Sequence, residues 1–269
     1  VIQSVPQAAY ITGSISLQRA VFYYGLLALW YFLKKKFEKV PRAGLILAVL
    51  ILLFPLPKTQ TKITFLDVGQ GDCAVIQQKK EVYVIDGGSS DVSKVGTYRI
   101  LPFLKYHGIR SIDGIFLSHS DDDHINGIEE LLESVAKKET SLKIKTVYLS
   151  KNTEKEEKLA KLAQLAKQAG CEVRYIKKGA QLKQKAFQIE CLSPKNEMGD
   201  SNENSQVLLF QTAGLSVLFT GDMEQKGEEA VTALLKERQE HIDILKVPHH
   251  GSKNSAKEAF LEAVNAQVG

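Results

Sequence analysis

The chain has 269 residues, enough for one large domain or two small ones, and 44% apolar with 25% charged side chains exclude a disordered or fibrous protein. The formal net charge of +4 is unevenly placed: residues 1–57 hold six of the 35 basic side chains and one of the 31 acidic ones, leaving 29 basic against 30 acidic beyond Pro57. That balance excludes a globally basic, polyanion-coating protein, so any polyanion partner must be held by a local patch. Cys73, Cys171 and Cys191 form no CxxC pair and, being three, cannot all be bridged within one chain; they read as buried thiols. Val1 stands where Met would begin a chain and Gly269 follows soon after an unfinished helix, which reads as a piece of a longer protein, truncated at its C-terminus.

Two apolar runs come first. Ile15–Leu33, at about 19 residues, is long enough to span a bilayer as a helix. Ala43–Leu56, at about 14, is short and needs thinning of the bilayer or snorkelling of Arg42 and Lys58. Between them lie Lys34, Lys35, Lys36, Lys39 and Arg42. Such a basic loop, residues 34–42, is expected in the cytoplasm, which sends the second helix outward and leaves everything after Pro57 extracytoplasmic. The expected division is therefore a membrane segment, 1–57, and a second domain, 58–269.

That domain opens with KITFLDVGQGDCAVIQQ and EVYVIDGG, β-rich runs punctuated by Gly69, Gly71, Gly87 and Gly88. Asp67, Asp72 and Asp86 each stand beside glycine at the edge of an apolar run. For Asp67 and Asp72 a turn-fixing role is favoured over catalysis. Residues 97–107 predict a short helix interrupted by Pro102.

The densest chemistry lies in IFLSHSDDDHIN, residues 115–126, where two histidines and three aspartates occupy six consecutive positions. Ile115–Leu117 reads as a buried strand and Gly127 onward as a helix, so His119–His124 is expected to be the joining loop. In an extended loop His119, Asp121 and Asp123 share a side, with His124 turning as the helix begins. Adjacent carboxylates repel unless a cation sits among them, and mixed imidazole and carboxylate donors suit Zn²⁺ or Mn²⁺. The alternative is a solvated acidic loop with Asp as a helix cap.

Strands at Thr146–Leu149 and Cys171–Ile176 then flank a helix over Lys155–Gln168, an α/β alternation. Residues 151–185 carry ten basic and four acidic side chains. A helix here presents Lys155, Lys158 and Lys161 to solvent with Leu159, Leu162 and Leu165 inward, either a solvated face or a track for a polyanion such as DNA. A polar loop, NEMGDSNENS, leads to QVLLFQTA and LSVLFTGD, the latter ending in Asp222. The next apolar run, IDILKVPHHGS, delivers His249 and His250. Three strand ends thus bring metal-ligand residue types, enough for two ions.

The order IDGG, HSDDDH, NENS, FTGD, PHHGS resembles the metallo-β-lactamase superfamily of hydrolases. More narrowly, LDVGQGD, ILPFLKYHGI, LSHSDDDHINGI, LFTGD and LKVPHHGS, set behind membrane helices, resemble the C-terminal domain of the ComEC family of bacterial competence proteins, from about Ile63 to the end. The resemblance implies an αββα sandwich preceded by two transmembrane helices, with a binuclear centre of divalent ions, Mn²⁺ or Zn²⁺ and Mg²⁺ as a further candidate. Carried over residue by residue, His119 and Asp121 hold one ion and Asp123 and His124 the other, with Asp222 bridging. His250 takes the place of the last ligand, in preference to His249. His249 then binds the scissile phosphate or protonates the leaving oxygen, and Asp86 supports the site from behind its ligands. Two departures stand out. Asp121 replaces the usual second His, which shifts the expected metal toward Mn²⁺. Asn204, with Ser205 beside it, stands where the third motif has His.

The implied role is a nuclease domain of a membrane DNA-uptake channel that degrades the non-transported strand, in company with other competence proteins. Asp123 would orient the attacking water. Two other readings are a catalytically silent domain that guides DNA and a hydrolase of small phosphodiesters or lactones.

Overall fold

The computed structural model describes residues 11, 13–36, 43–53, 60–153, 156–195, 201–253 and 255–269. Lys155, residues 37–42 of the expected basic loop and residues 54–59 around the double proline lie outside them.

Two helices come first, α1 (Leu17–Lys36) and α2 (Ala43–Leu53). None of the side chains of α1 is buried, and Phe22, Tyr24, Tyr31 and Phe32 are exposed. Among the described residues no helix is long and apolar enough to cross a membrane, so the two expected transmembrane helices are not supported. At 1.5 Å per residue the 11 residues of α2 reach about 16 Å, half a hydrocarbon core. The 20 residues of α1 are long enough but include Arg19, Lys34, Lys35 and Lys36.

The sandwich follows. Its first half is β1 (Thr61–Phe65), β2 (Ala74–Gln78), β3 (Glu81–Ile85), a π-helical turn Gly96–Ile100 running into α3 (Leu101–Tyr106), β4 (Ser111–Ile112), β5 (Gly114–Phe116), α4 (Asp122–Ala136), β6 (Lys143–Ile144), β7 (Thr146–Ser150), α5 (Glu157–Gln168) and β8 (Glu172–Ile176). The second half is β9 (Gln181–Lys183), β10 (Phe187–Ser193), β11 (Val207–Thr212), β12 (Ser216–Phe219), α6 (Gln225–Arg238), β13 (Ile244–Lys246) and α7 (Glu258–Val264). One sheet has the order β1-β2-β3-β5-β7-β8, the other β13-β12-β11-β10-β9. From β3 to β8 the first sheet is parallel, as β12 and β13 are in the second.

Alternation along the strands makes three apolar layers. Val84, Ile115, Leu117 and Val147 face Leu104, Ile128, Leu132 and Leu159 of the first helical layer. Their neighbours Tyr83, Phe116 and Tyr148 face Phe187, Leu208 and Phe210 of the other sheet. Leu209 and Leu218 turn outward onto Val231, Leu235, Phe260 and Val264. Strands buried on both faces read as continuous apolar runs, which is why VYVI, GIF and VLLF are legible as strands. Each fully buried Leu, Ile or Phe contributes about 1.5–3 kcal/mol. This is the expected αββα architecture.

The cysteines are free and buried. Burial pushes the thiol pKa of Cys171 up to about 11 and that of Cys191 up to about 12, as inert thiols require. Helix α7 ends at Val264: Asn265 adopts the left-handed conformation just after it, and Val268 then pairs with Ile244.

Candidate metal centre

Loops at one edge of the sandwich carry the chemistry. They are the β1–β2 loop with Asp72, the turn after β3 with Asp86, the β5–α4 connection with His119–His124, the turn after β12 with Asp222, and the segment after β13 with His249 and His250. Three of these backbones are joined directly. The N–H of Asp72 donates to the carbonyl of Asp123 (3.1 Å), that of Gly87 to the carbonyl of His124 (2.8 Å), and that of Gly88 to the carbonyl of Asp72 (3.1 Å). Side chains cannot intrude here: a Cβ on Gly71 would collide with the Gly88 carbonyl oxygen. The glycines of VGQGD and IDGG are thus the surface on which the acidic loop is laid.

The helix α4 starts at Asp122, five residues before the expected Gly127. Asp122 and Asp123 occupy its first turn, where the partial positive charge of a helix start favours carboxylates. Asp121 is the cap residue by backbone, yet its side chain makes no capping bond and faces His119 instead, Oδ2 to Nε2 3.7 Å. The plain helix-cap reading of these aspartates therefore does not hold.

Asp86, with a left-handed φ of 54°, accepts the Ser118 N–H at Oδ1 (2.7 Å) and meets His124 Nδ1 at Oδ2 (3.1 Å). Ser118 Oγ engages His119 Nδ1 at 2.9 Å. Each imidazole is thus held by its Nδ1 side and presents Nε2 forward. Nε2 of His119, His124 and His250 is buried without a hydrogen-bond partner. Orphaned buried nitrogens of this kind are what a metal completes.

Asp72, His124, Asp222 and His250 offer ligand atoms that all lie within 4.8 Å of one another. Asp123 joins them, Oδ2 to His250 Nε2 3.4 Å. His119 and Asp121 form a neighbouring pair, and the His119 ring packs against that of His124, tilted 53° with centroids 4.1 Å apart. Such a donor set fits divalent cations. Asn204 is buried in the turn before β11, and its neighbour Ser205 accepts the Asp222 N–H at 3.3 Å.

His249 and His250 diverge. Both are left-handed, φ 46° and 51°, a rare conformation for a pair of non-glycine residues. It sends His250 into the cluster and His249 toward Glu224, Nδ1 to Oε1 2.9 Å, with its Nε2 3.9 Å from Asp222. Lys158 bonds Asp122 at 2.8 Å, which puts its ammonium at the rim of the acidic loop. Lys161 pairs with Glu157 one turn away (2.7 Å). Sequence reasoning passes over two members of the site. It gives Asp72 to a turn, and it leaves out Lys246, whose ammonium contacts both Asp72 and Asp222 from an otherwise apolar strand. A lysine inside a buried run, three residues before two histidines, is the available signal. A cavity of about 660 Å³ lined by Lys79, Lys183 and Lys185 opens at the hairpin turns, away from these loops.

Electrostatics follow the geometry. Burial opposes protonation of His124, but the carboxylates of Asp86 and Asp222 outweigh it and push its pKa up to about 10. Burial would raise Asp222, yet His124 and Lys246 hold it well below the usual carboxylate range. The His250 imidazole close beside Asp123 likewise lowers its pKa, and that of His119 lowers Asp121. A divalent ion held through His124 would have to displace the proton that its raised pKa favours at neutral pH. Mn²⁺ affinity is expected to rise by about tenfold per pH unit below pH 10, with proton release measurable by calorimetry in buffers of different ionisation enthalpy. An affinity flat from pH 6 to 9 would remove His124 from the ligand set. Without metal the sign reverses. The raised pKa stabilises the fold fully below about 6.5, and that contribution is lost as pH climbs through about 10.

Comparison with known proteins agrees with this architecture. The sequence model of the metallo-beta-lactamase superfamily matches residues 66–268. The chain is 32% identical over 242 residues to ComE operon protein 3 of Bacillus subtilis, covering 84% of the chain and 30% of that protein. It is 26% identical over 235 residues to competence protein ComA of Neisseria gonorrhoeae, covering 84% of the chain and 29% of that protein. The chain thus spans less than a third of either relative. Among solved structures, the diiron β-hydroxylase CmlA of Streptomyces venezuelae has a TM-score of 0.50 at 14% identity, covering 89% of the chain and 49% of that protein, a likeness of fold alone. With its layers and most of its length so matched, the chain belongs to the metallo-β-lactamase superfamily, and the two relatives named here are proteins of the ComEC competence family.

Proposed function

We propose that this domain is a metal-dependent phosphodiesterase acting on DNA, working within a longer DNA-uptake protein. The observation that carries the reading is the convergence of Asp72, Asp123, His124, Asp222 and His250 around buried, unpartnered imidazole nitrogens, with His119 and Asp121 adjoining. When bound, divalent ions supply Lewis-acid stabilisation of the phosphoryl oxygens and make an attacking water more acidic. Asp123, partly open to solvent, is placed to accept a proton from that water and orient it. His249 has its Nδ1 against Glu224, so its Nε2 is the atom that can protonate the leaving oxygen. Asp86 and Ser118 hold the imidazoles from behind. Lys158, at the rim, is suited to a backbone phosphate entering beside Asp122.

The exposed apolar and aromatic side chains of α1 support assigning residues 1–57 to the attachment of the sandwich to a membrane or to the rest of such a protein. In this reading residues 58–269 lie on the extracytoplasmic side and degrade one strand.

The test is the whole chain with end-labelled single- and double-stranded DNA and Mn²⁺, Mg²⁺ or Zn²⁺ in turn, beside Asp123→Ala. Cleavage that requires metal and falls by at least about 10²-fold in the variant is the expected result. A second reading rests on Asn204, a weak neutral donor where the superfamily pattern has His: a domain that binds and guides DNA without cutting it. Tight DNA binding with no cleavage under any metal would select it.

A further inference from the structure

Lys246 takes no part in the chemistry proposed for the centre. It ends β13, where pairing with Phe219 of β12 and a bond from Thr220 Oγ1 to its carbonyl (2.7 Å) set its backbone. Its side chain, 12% exposed, runs under the centre. The ammonium contacts Asp72 Oδ2, donates to the Gly221 carbonyl at 2.9 Å and lies 3.3 Å from Asp222 Oδ1. The last two contacts are hydrogen bonds and the first is an ion pair. Asp72 comes from the first sheet's loops and Asp222 from the second's, so this one cation joins the two halves of the sandwich. Among the described residues no other Lys or Arg forms an ion pair with either carboxylate.

Both carboxylates belong to the cluster fitted to a cation, and the oxygens that Lys246 meets are those turned toward His124: Asp222 Oδ1 lies 3.1 Å from its Nε2 and Asp72 Oδ2 3.7 Å from its Nδ1. The buried Asp222 and the partly buried Asp72 repel each other when no cation lies between them, and their burial adds a desolvation cost. An ammonium and a divalent ion cannot both fully satisfy the same oxygens.

We propose that Lys246 is a resident cation of the centre: its ammonium holds Asp72 and Asp222 together in the metal-free protein and competes with a divalent ion for them. Lys246 is thus a positioning residue that keeps the metal-free site assembled at the expense of metal affinity. The inference rests on the metal-centre reading, not on the choice of DNA as substrate.

The test uses the whole chain, stripped with chelator, as wild type and as Lys246→Met, with Mn²⁺ alone as probe. Lys246→Met is expected to lower the metal-free unfolding temperature by roughly 4 °C or more and to bind Mn²⁺ about tenfold tighter or better. Mn²⁺ then restores more thermal stability to the variant than it adds to wild type. A readout independent of the variant's folding is amine acylation of wild-type Lys246, followed by mass spectrometry. Labelling should rise about fivefold or more when Mn²⁺ takes the carboxylates from the ammonium. Equal or weaker Mn²⁺ binding by the variant, or labelling unchanged in Mn²⁺-bound wild type, overturns the proposal while leaving the metal centre intact. If neither chain binds Mn²⁺, the metal-centre reading falls and the proposal with it.

Discussion

Replacing Asp222 by asparagine is expected to reduce metal-dependent DNA cleavage by about 10³-fold or more, beyond the 10–100-fold typical of groups that only orient a ligand. The carboxylate is buried, 3% exposed, at the meeting point of the loops. One oxygen lies 3.1 Å from His124 Nε2 and 3.3 Å from Lys246; the other lies 3.5 Å from His250 Nε2. Its pKa is held well below the usual range, so it is charged throughout any practical assay. Asparagine keeps the shape and removes the charge, which leaves Lys246 and a protonated His124 facing a neutral amide. Mn²⁺ binding should fall in parallel with cleavage, and that joint loss separates a ligand from a residue that merely positions substrate. Cleavage within tenfold of wild type would take Asp222 out of the centre.

The second large effect is expected from Gly88→Ala, one methyl group on a residue with no functional atoms of its own. A Cβ there would sit 2.5 Å from the Asp122 carbonyl oxygen, the Asp123 carbonyl carbon and the His124 nitrogen, all backbone. A flexible side chain could swing away, but the first turn of α4 cannot. The helix start must shift as a unit, carrying Asp123 and His124 with it and straining the bond from Gly87 to the His124 carbonyl. The expected cost is about 3 kcal/mol, the upper end of ordinary overpacking, with Mn²⁺ affinity lowered by about 10²-fold or more. Gly214→Ala is the control: nothing lies within 4 Å of the point its methyl group would occupy, so both thermal unfolding and Mn²⁺ titration should match wild type. If Gly88→Ala behaved the same way, the close seating of the acidic loop on IDGG would be wrong.

Much of the centre can be read from the chain order because its residues cluster where local patterns change. His119–His124 interrupts an apolar strand and a helix, Asp222 ends LSVLF, and His249 and His250 end ILKVP. Periodicity locates strand ends, and strand ends in α/β proteins are where ligands gather. The start of α4 falls five residues before its expected place because Asp122 and Asp123 read as loop by composition; a helix start stabilises such carboxylates in its first turn. Apolar length alone likewise suggests two membrane spans, whereas the described helices are too short or too charged to cross a membrane.

By itself, then, the sequence implied the αββα class through its motif-by-motif resemblance to a known family, and residue chemistry marked the buried thiols and the candidate ligand types. Only the tertiary structure decided which of two adjacent histidines enters the cluster, because that depends on two left-handed residues in succession. Tertiary structure also brought in Asp72 and Lys246. Asp72 lies 52 residues before His124 and 150 before Asp222, and no local signal relates them. Their meeting is a product of how two sheets stack, and stacking is settled by the shape of Tyr83, Phe116, Phe187 and Phe210 between them.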